Sequence, residues 1–209
     1  MDEYVFRLVC EHQKKWKQLG QEMIPISVNL SRRSLYASDA VARYKQIAAD
    51  CDIEPEYVPI EITESTAIDS VRIKPIADAF NEAGFHLHMD DFGSGRSSLN
   101  GLNVLHFDVV KLDKSLIDCI GDKNGELILT YTMALGKELG LYLVAEGVEN
   151  EKQLNFLKEN GCDVIQGYYF SKPLPVEAFE QKVKDNLETE RHCCGSKKKH
   201  ALVPVEQGG

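Results

Sequence analysis

Six short β-type runs along this 209-residue chain end in a carboxylate, an amide or a lysine. Ile26-Ser27-Val28 leads into Asn29, and residues 58–63 lead into Glu64. Phe85 to Met89 leads into Asp90-Asp91. Asp108-Val109-Val110 leads into Lys111, with Asp113 just beyond. Leu141 to Ala145 leads into Glu146, with Glu149 close behind, and Asp163-Val164-Ile165 leads into Gln166. A core strand has no structural use for a polar terminus every time. Parallel α/β barrels do, because their sites are assembled at the carboxyl ends of the strands. An acidic cluster gathered there is readily stabilised by divalent cations.

Each of these residues has a chemical and a structural reading. Asp90-Asp91-Phe92-Gly93-Ser94-Gly95 is the strongest string. Adjacent aspartates present oxygens in two directions and suit a bridge between two cations, and the glycines let the loop turn sharply. The structural reading is a capped turn with solvated aspartates. Strand alternation puts Glu61 on the face opposite Ile60 and Ile62, where a carboxylate must be paired or bound to metal. Glu64 lies past the strand and orients the next loop. Asn29 offers a neutral oxygen, or caps a helix. Lys111, flanked by Val110 and Leu112, is costly unless paired. It either positions a water and stabilises an anionic transition state, or forms a salt bridge to Asp113 or the acidic cluster. Glu146 binds metal or accepts a proton from water, Glu149 fixes geometry nearby, and Gln166 hydrogen-bonds a base or the metal ligands. His86 and His88 share a strand face and read as packing residues.

The elements that position these residues alternate between helix and strand. The first helix carries Val5, Leu8, Val9, His12, Trp16 and Leu19 on one face and stops at Gly20. A second carries Val41, Tyr44, Ile47, Ala48 and Cys51, with Ser38 or Asp39 as its cap. A third runs from about Thr66 to Ala83, burying Ile68, Ile76, Ala77 and Phe80. Leu127, Ile128, Tyr131, Leu135 and Leu139 form the stripe of a fourth. Asn150 and Gln153 resemble a capping box opening a fifth. Pro175 fits the first turn of a last helix bearing Val176, Phe179 and Val183. Glycines 20, 84, 140 and 161 stop helices, and a strand follows each within a few residues. This rhythm predicts an α/β fold with a parallel sheet. A full (β/α)8 barrel takes about 250 residues. The expectation is therefore an incomplete TIM-like barrel of about six strands, with the first two strand units missing. The domain spans residues 1–185, and 186–209, with Cys193-Cys194 and Lys197-Lys198-Lys199, form a flexible tail.

Hydrophobic content is 43%, charged content 27% and net charge −9, ordinary for a globular domain. The acidic balance argues against a nucleic-acid polymer or anionic membrane as partner. Nothing at the start has the form of a signal peptide, and no run is long and apolar enough to span a bilayer. The six cysteines read as small buried residues in a reducing compartment, so a cytoplasmic location is expected.

Taken together, Val-Asn-Leu-Ser at 28–31, Glu-Ile-Thr-Glu at 61–64, Asp-Asp-Phe-Gly-Ser-Gly at 90–95, Lys-Leu-Asp at 111–113, Ala-Glu-Gly-Val-Glu at 145–149 and Gln-Gly-Tyr at 166–168 resemble the EAL-domain family of cyclic di-GMP phosphodiesterases, in order and spacing. The resemblance implies hydrolysis of cyclic di-GMP to pGpG by metal-activated water, with Mg²⁺ or Mn²⁺ in a two-metal site. By position, Asn29, Glu61, Asp90 and Asp91 resemble metal ligands. Lys111 resembles the lysine that holds the attacking water, and Glu146 the essential acid beside it, with Asp91 counted among the catalytic residues. Glu64, Asp113, Glu149 and Gln166 resemble supporting residues. The implied partners are cyclic di-GMP and a homodimer or an accompanying sensor or cyclase domain. The Glu-Ala-Leu signature is absent, and Arg96 stands where the family usually has an aromatic. Weakened or absent turnover is therefore expected. The alternative is a non-catalytic cyclic di-GMP-binding or protein-interaction module.

Overall fold

The computed structural model describes residues 1–94 and 99–193. The expectations about Gly95, Arg96 and residues 194–209 lie outside them. The chain opens in α1 (Asp2–Gln18), continues through β1 (Val28–Asn29), α2 (Arg32–Leu35) and α3 (Ala40–Asp50), and makes a 3₁₀ turn at Pro55–Tyr57. It goes on through β2 (Ile60–Thr63), α4 (Glu64–Ala67), α5 (Ser70–Glu82), β3 (Leu87–Phe92), α6 (Leu99–Val104) and β4 (Val109–Leu112). The last elements are α7 (Lys114–Ile117), α8 (Lys123–Glu138), β5 (Tyr142–Ala145), α9 (Glu151–Glu159), β6 (Val164–Ile165) and α10 (Val176–Cys193). The six strands form one parallel sheet in chain order, β1 to β6, and the β-type runs of the sequence fall on them one for one. All neighbouring pairs are parallel.

The parallel order follows from the punctuation. Gly20, Gly84, Gly140 and Gly161 all take positive φ just past a helix end, which terminates the helix and turns the chain back towards the sheet. The capping box at Asn150 and Gln153 is present. Helix α1 carries Asp2 and Glu3 in its first turn and Lys15 and Lys17 in its last, the favourable sense for the helix dipole. One face of the central strands is apolar, because period-two alternation and the pairing register send Ile60, Ile62, Leu87, Met89 and Leu112 to the same side. Ile60, Ile62, Leu87, Met89 and Leu112 have no exposed surface. Against that background the buried Glu61, His88, Asp90 and Lys111 stand out.

Several sequence expectations change. The helix expected over 66–83 is two helices broken at Ile68-Asp69, and Ile68 is exposed. On α1 the buried positions are Phe6, Val9, Cys10, Gln13 and Trp16. That face is turned from the expected one, and Leu8 and Leu19 face outward. On α8 the buried residues are Leu129, Met133 and Gly136, and the expected stripe lies on the opposite, exposed side. His86 precedes β3 and is half exposed, with Nδ1 3.0 Å from Asp108 Oδ1. Only His88 of that pair is a packing residue. Cys10, Cys51, Cys119 and Cys162 are free, with Cys10 and Cys51 buried and Cys119 exposed. Helix α10 continues to Cys193, past the boundary expected at residue 185. Among the described residues no helix is long and apolar enough to cross a membrane.

Candidate active site

Pairing register places the polar residues on one inner surface. Glu61 lies opposite His88, His88 opposite Val109, Thr63 opposite Asp90, and Lys111 opposite Val144. Period-two alternation then puts His88 and Asp90 on the face that carries Glu61 and Lys111. Lys111 Nζ is the centre of the group. It lies 2.9 Å from Glu61 Oε1, 3.0 Å from Asp90 Oδ1 and 2.7 Å from Glu146 Oε1. Lys111 thus pairs with the acidic cluster and not with Asp113.

One ammonium cannot balance three carboxylates, and the protonation energetics show this. Burial disfavours the charge on Lys111, but Glu61, Glu146 and Asp90 override it and hold the pKa well above the ordinary lysine value. Glu146 is pushed up to about 7, first by burial and then by Asp90 and Glu61, against the pull of Lys111. The Asp91 carboxyl is also raised, by burial and by Asp90 and Asp113.

Strand β3 changes register between Met89 and Phe92, and Asp91 sits there with φ of 59°. A bulge of this kind re-aims a side chain, so two consecutive aspartates serve one mouth, where regular alternation would send them to opposite faces. The loop beyond is tied down from the first residue of α4: the buried Glu64 accepts a hydrogen bond from Gly93 N at 3.2 Å. Gly93 has φ of 93°, a region that favours glycine.

The other expected residues take up distinct places. Asn29 is exposed on the edge strand, directly opposite Glu61 in register. Gln166 Nε2 donates to Glu146 Oε1 at 2.6 Å. Gly167, with φ of 155°, brings the chain so close that an added Cβ would lie 2.2 Å from Val148 N. That close passage fixes Gln166 against the strand carrying Glu146. Asp113 caps α7 by accepting from Ser115 N at 2.9 Å, and its own N–H donates to Phe92 O. Glu149 is not in the central group. It reaches Lys114 Nζ at 3.3 Å on the rim. One contributor escapes the sequence: the Ser27 hydroxyl donates to Glu61 Oε1 at 2.5 Å. His88, expected as a packing residue, is buried on the same strand face two residues before Asp90.

His88 makes the fold acid-sensitive. Burial, followed by the charge of Lys111, pushes its pKa down to about 3. Its folded value is therefore below the unfolded value of about 6.5. Between those values the unfolded chain binds the extra proton, so stability is lost as pH falls from about 6.5 towards 3. Urea denaturation at stepped pH should show this slope, and His88→Gln should flatten it. An unchanged slope would contradict the assignment.

Among the described residues no group of three His, Cys, Asp or Glu side chains is already arranged as a metal cage. The donor chemistry nevertheless suits hard divalent cations. The donors are carboxylate oxygens beside an amide, they surround a point where a cationic group already sits, and the carboxyls of Asp91 and Glu146 are raised first by burial and then by the neighbouring carboxylates.

The family model described as EAL domain matches residues 1–173. The cyclic di-GMP phosphodiesterase NbdA of Pseudomonas aeruginosa is 33% identical over 183 residues, covering 87% of this chain and 23% of NbdA. A solved phosphodiesterase structure of MucR, in complex with c-di-GMP, is 33% identical with a TM-score of 0.79, covering 85% of this chain and 72% of that one. A calcium and cyclic di-GMP complex of BlrP1 from Klebsiella pneumoniae is 29% identical with a TM-score of 0.70, covering 80% of this chain and 44% of that one. The chain spans less than a quarter of the length of NbdA.

Proposed function

This chain belongs to the EAL domain family, and we propose that it binds cyclic di-GMP across the strand ends and hydrolyses one phosphodiester to leave linear pGpG. The observation that carries the reading is the convergence of Glu61, Asp90 and Glu146 on Lys111 Nζ, all within 3.0 Å. Asn29, Glu61, Asp90 and Asp91 would hold Mg²⁺ or Mn²⁺. The ions supply positive charge that offsets the build-up of negative charge on the phosphoryl oxygens.

The chain's own residues do the rest. As the structure stands, the N–H donors of Lys111 are spent on three carboxylates. When Glu61 and Asp90 serve as ligands, Lys111 regains donors for the attacking water and the anionic transition state. Glu146, with a pKa of about 7, accepts the proton of that water. A pKa near the working pH is where a general base is most effective. Its contacts with Lys111 and Gln166 both fall on Oε1, so Oε2 is the proton-accepting oxygen. The water oxygen adds to phosphorus, the P–O3′ bond breaks, and the 3′ oxygen leaves as a hydroxyl by taking a proton from solvent, to which Glu146 returns the one it accepted. Glu64 and Gly93 hold the loop after Asp91, and Asp113 and Glu149 hold the rim through α7.

Incubation with cyclic di-GMP and Mn²⁺ or Mg²⁺, followed by chromatography, tests the reading. pGpG is expected, and it should vanish with chelator. A second reading is a non-catalytic cyclic di-GMP-binding module. Calorimetric binding without product would select it. Neither binding nor product would overturn both.

A further inference from the structure

Ser27 stands just ahead of the edge strand β1. The chain alternates there. Ile26, Val28 and Leu30 are buried in the apolar core, so Ser27 and Asn29 turn to the opposite side. Register sets Asn29 beside Glu61, which puts Ser27 on the same face as Glu61, two residues earlier along the chain. The Ser27 hydroxyl donates to Glu61 Oε1 at 2.5 Å, and Lys111 Nζ lies 2.9 Å from that same oxygen. Both contacts fall on Oε1, which leaves Oε2 of this buried carboxylate for a cation. The backbone of β1 is held without the hydroxyl. Val28 N donates to Pro59 O at 2.9 Å and Leu30 N to Glu61 O at 3.0 Å. The serine side chain is therefore not what keeps the strand in the sheet.

We propose that Ser27 is a positioning residue for the metal site: its hydroxyl holds Glu61 in the rotamer that offers Oε2 to a divalent cation. The inference rests on the proposed function, in which Glu61 is a ligand. Ligating carboxylates are themselves hydrogen-bonded, and those outer partners orient them. Glu61 has two such neighbours, and they respond differently to a cation. Lys111 is positively charged, so an ion bound by Glu61 and Asp90 repels it and loosens its hold on Oε1. Ser27 is neutral and keeps its hydrogen bond when the ion is bound. It is then the contact that fixes a flexible side chain, whose rotamer freedom is otherwise lost only on binding. A lysine or arginine in its place would also hold Oε1, but its charge would compete with the ion for the same carboxylate. A hydroxyl serves both states. It steadies the carboxylate beside Lys111 in the metal-free protein and keeps it aimed once the ion is present.

Titration calorimetry of the full chain with Mn²⁺ alone, without nucleotide, tests this. Ser27→Ala should raise the dissociation constant for Mn²⁺ by about 10–100-fold, the usual cost of losing a group that orients a ligand. Ser27→Thr and Ser27→Val separate the hydroxyl from packing, because threonine and valine have nearly the same shape and only threonine can donate. Ser27→Thr should bind Mn²⁺ close to wild type, and Ser27→Val as weakly as Ser27→Ala. A residue that mattered only through its bulk would make the threonine and valine variants alike. Circular dichroism of each metal-free variant checks the fold. Ser27→Ala binding Mn²⁺ as tightly as wild type would overturn this assignment alone, and so would Ser27→Thr binding no better than Ser27→Val. A wild type that binds no Mn²⁺ would overturn the proposed metal site and this assignment together. The readout is metal affinity, so it does not depend on turnover of the dinucleotide.

Discussion

Lys111→Met is expected to destabilise the metal-free protein by about 3–5 kcal/mol at neutral pH, the scale for removing one partner of a buried ion pair. Methionine keeps the apolar stem, so the loss belongs to the charge. Lys111 is 10% exposed in its side chain, and its partners Glu61, Asp90 and Glu146 are 5%, 12% and 20% exposed. Without the ammonium they face one another in a low-dielectric site. The sign of the pH dependence follows. Carboxylates left unpaired take folded pKa values above their unfolded ones, as Glu146 already does at about 7. Their contribution to stability is present below the unfolded value and is lost as pH rises through the folded one. The difference between wild type and variant should therefore be small in mild acid and reach its full size above neutrality. Urea denaturation of both proteins at stepped pH measures it. A difference that stays constant with pH would sink the claim that Lys111 serves as the counter-ion of the cluster.

The same charge count makes a divalent cation an alternative to the ammonium. Mn²⁺ should therefore raise the unfolding midpoint of Lys111→Met by more than that of wild type. Ligand binding to the native state alone stabilises it by mass action, and the variant has the greater unrelieved charge.

Much of this site was legible because a parallel sheet leaves a readable trace. The strands are short apolar runs. A lysine between Val110 and Leu112 has no reason to exist without partners, and Asp90-Asp91 before Phe-Gly names its own loop. What escaped had weaker signals. Ser27 is neutral and precedes an edge strand, so nothing in its type announces a hydrogen bond to Glu61. The bulge at Asp91 depends on how β3 meets β4, which is a tertiary fact. Helix α8 defeated periodicity because both of its sides are apolar, and a period of 3.6 does not say which stripe faces inward. Helix α1 was misread in a milder form of the same way: Phe6 and Cys10 lie one position along from Val5 and Val9, and the burial follows the former pair more closely. The break at Ile68-Asp69 is hidden by apolar spacing that runs on from Ile68 to Phe80, although Asp69 stands at the N-cap of α5.

Glu146→Gln is expected to separate catalysis from stability. Removing a general base commonly costs about 10²–10⁴-fold in rate, so pGpG formation should fall by that order while cyclic di-GMP is still bound. The amide oxygen of the variant can still accept from Gln166 Nε2, which now donates to Glu146 Oε1 at 2.6 Å, and from Lys111, so the strand end keeps its place. Stability of the metal-free protein should move the other way. The folded pKa of Glu146 is about 7, above an unfolded value of about 4.3. Between the two the folded state binds the extra proton, and wild-type stability declines as pH rises through that window. Glutamine removes that proton uptake and leaves two carboxylates around one ammonium. The variant should gain on wild type as pH rises from 5 to 8 and hold the gain above it. A residue that only props up the fold would lose stability and activity together. Denaturation curves at stepped pH, paired with product chromatography and calorimetry on the same samples, decide the matter: a variant that is both less stable and unable to bind would remove Glu146 from the chemistry.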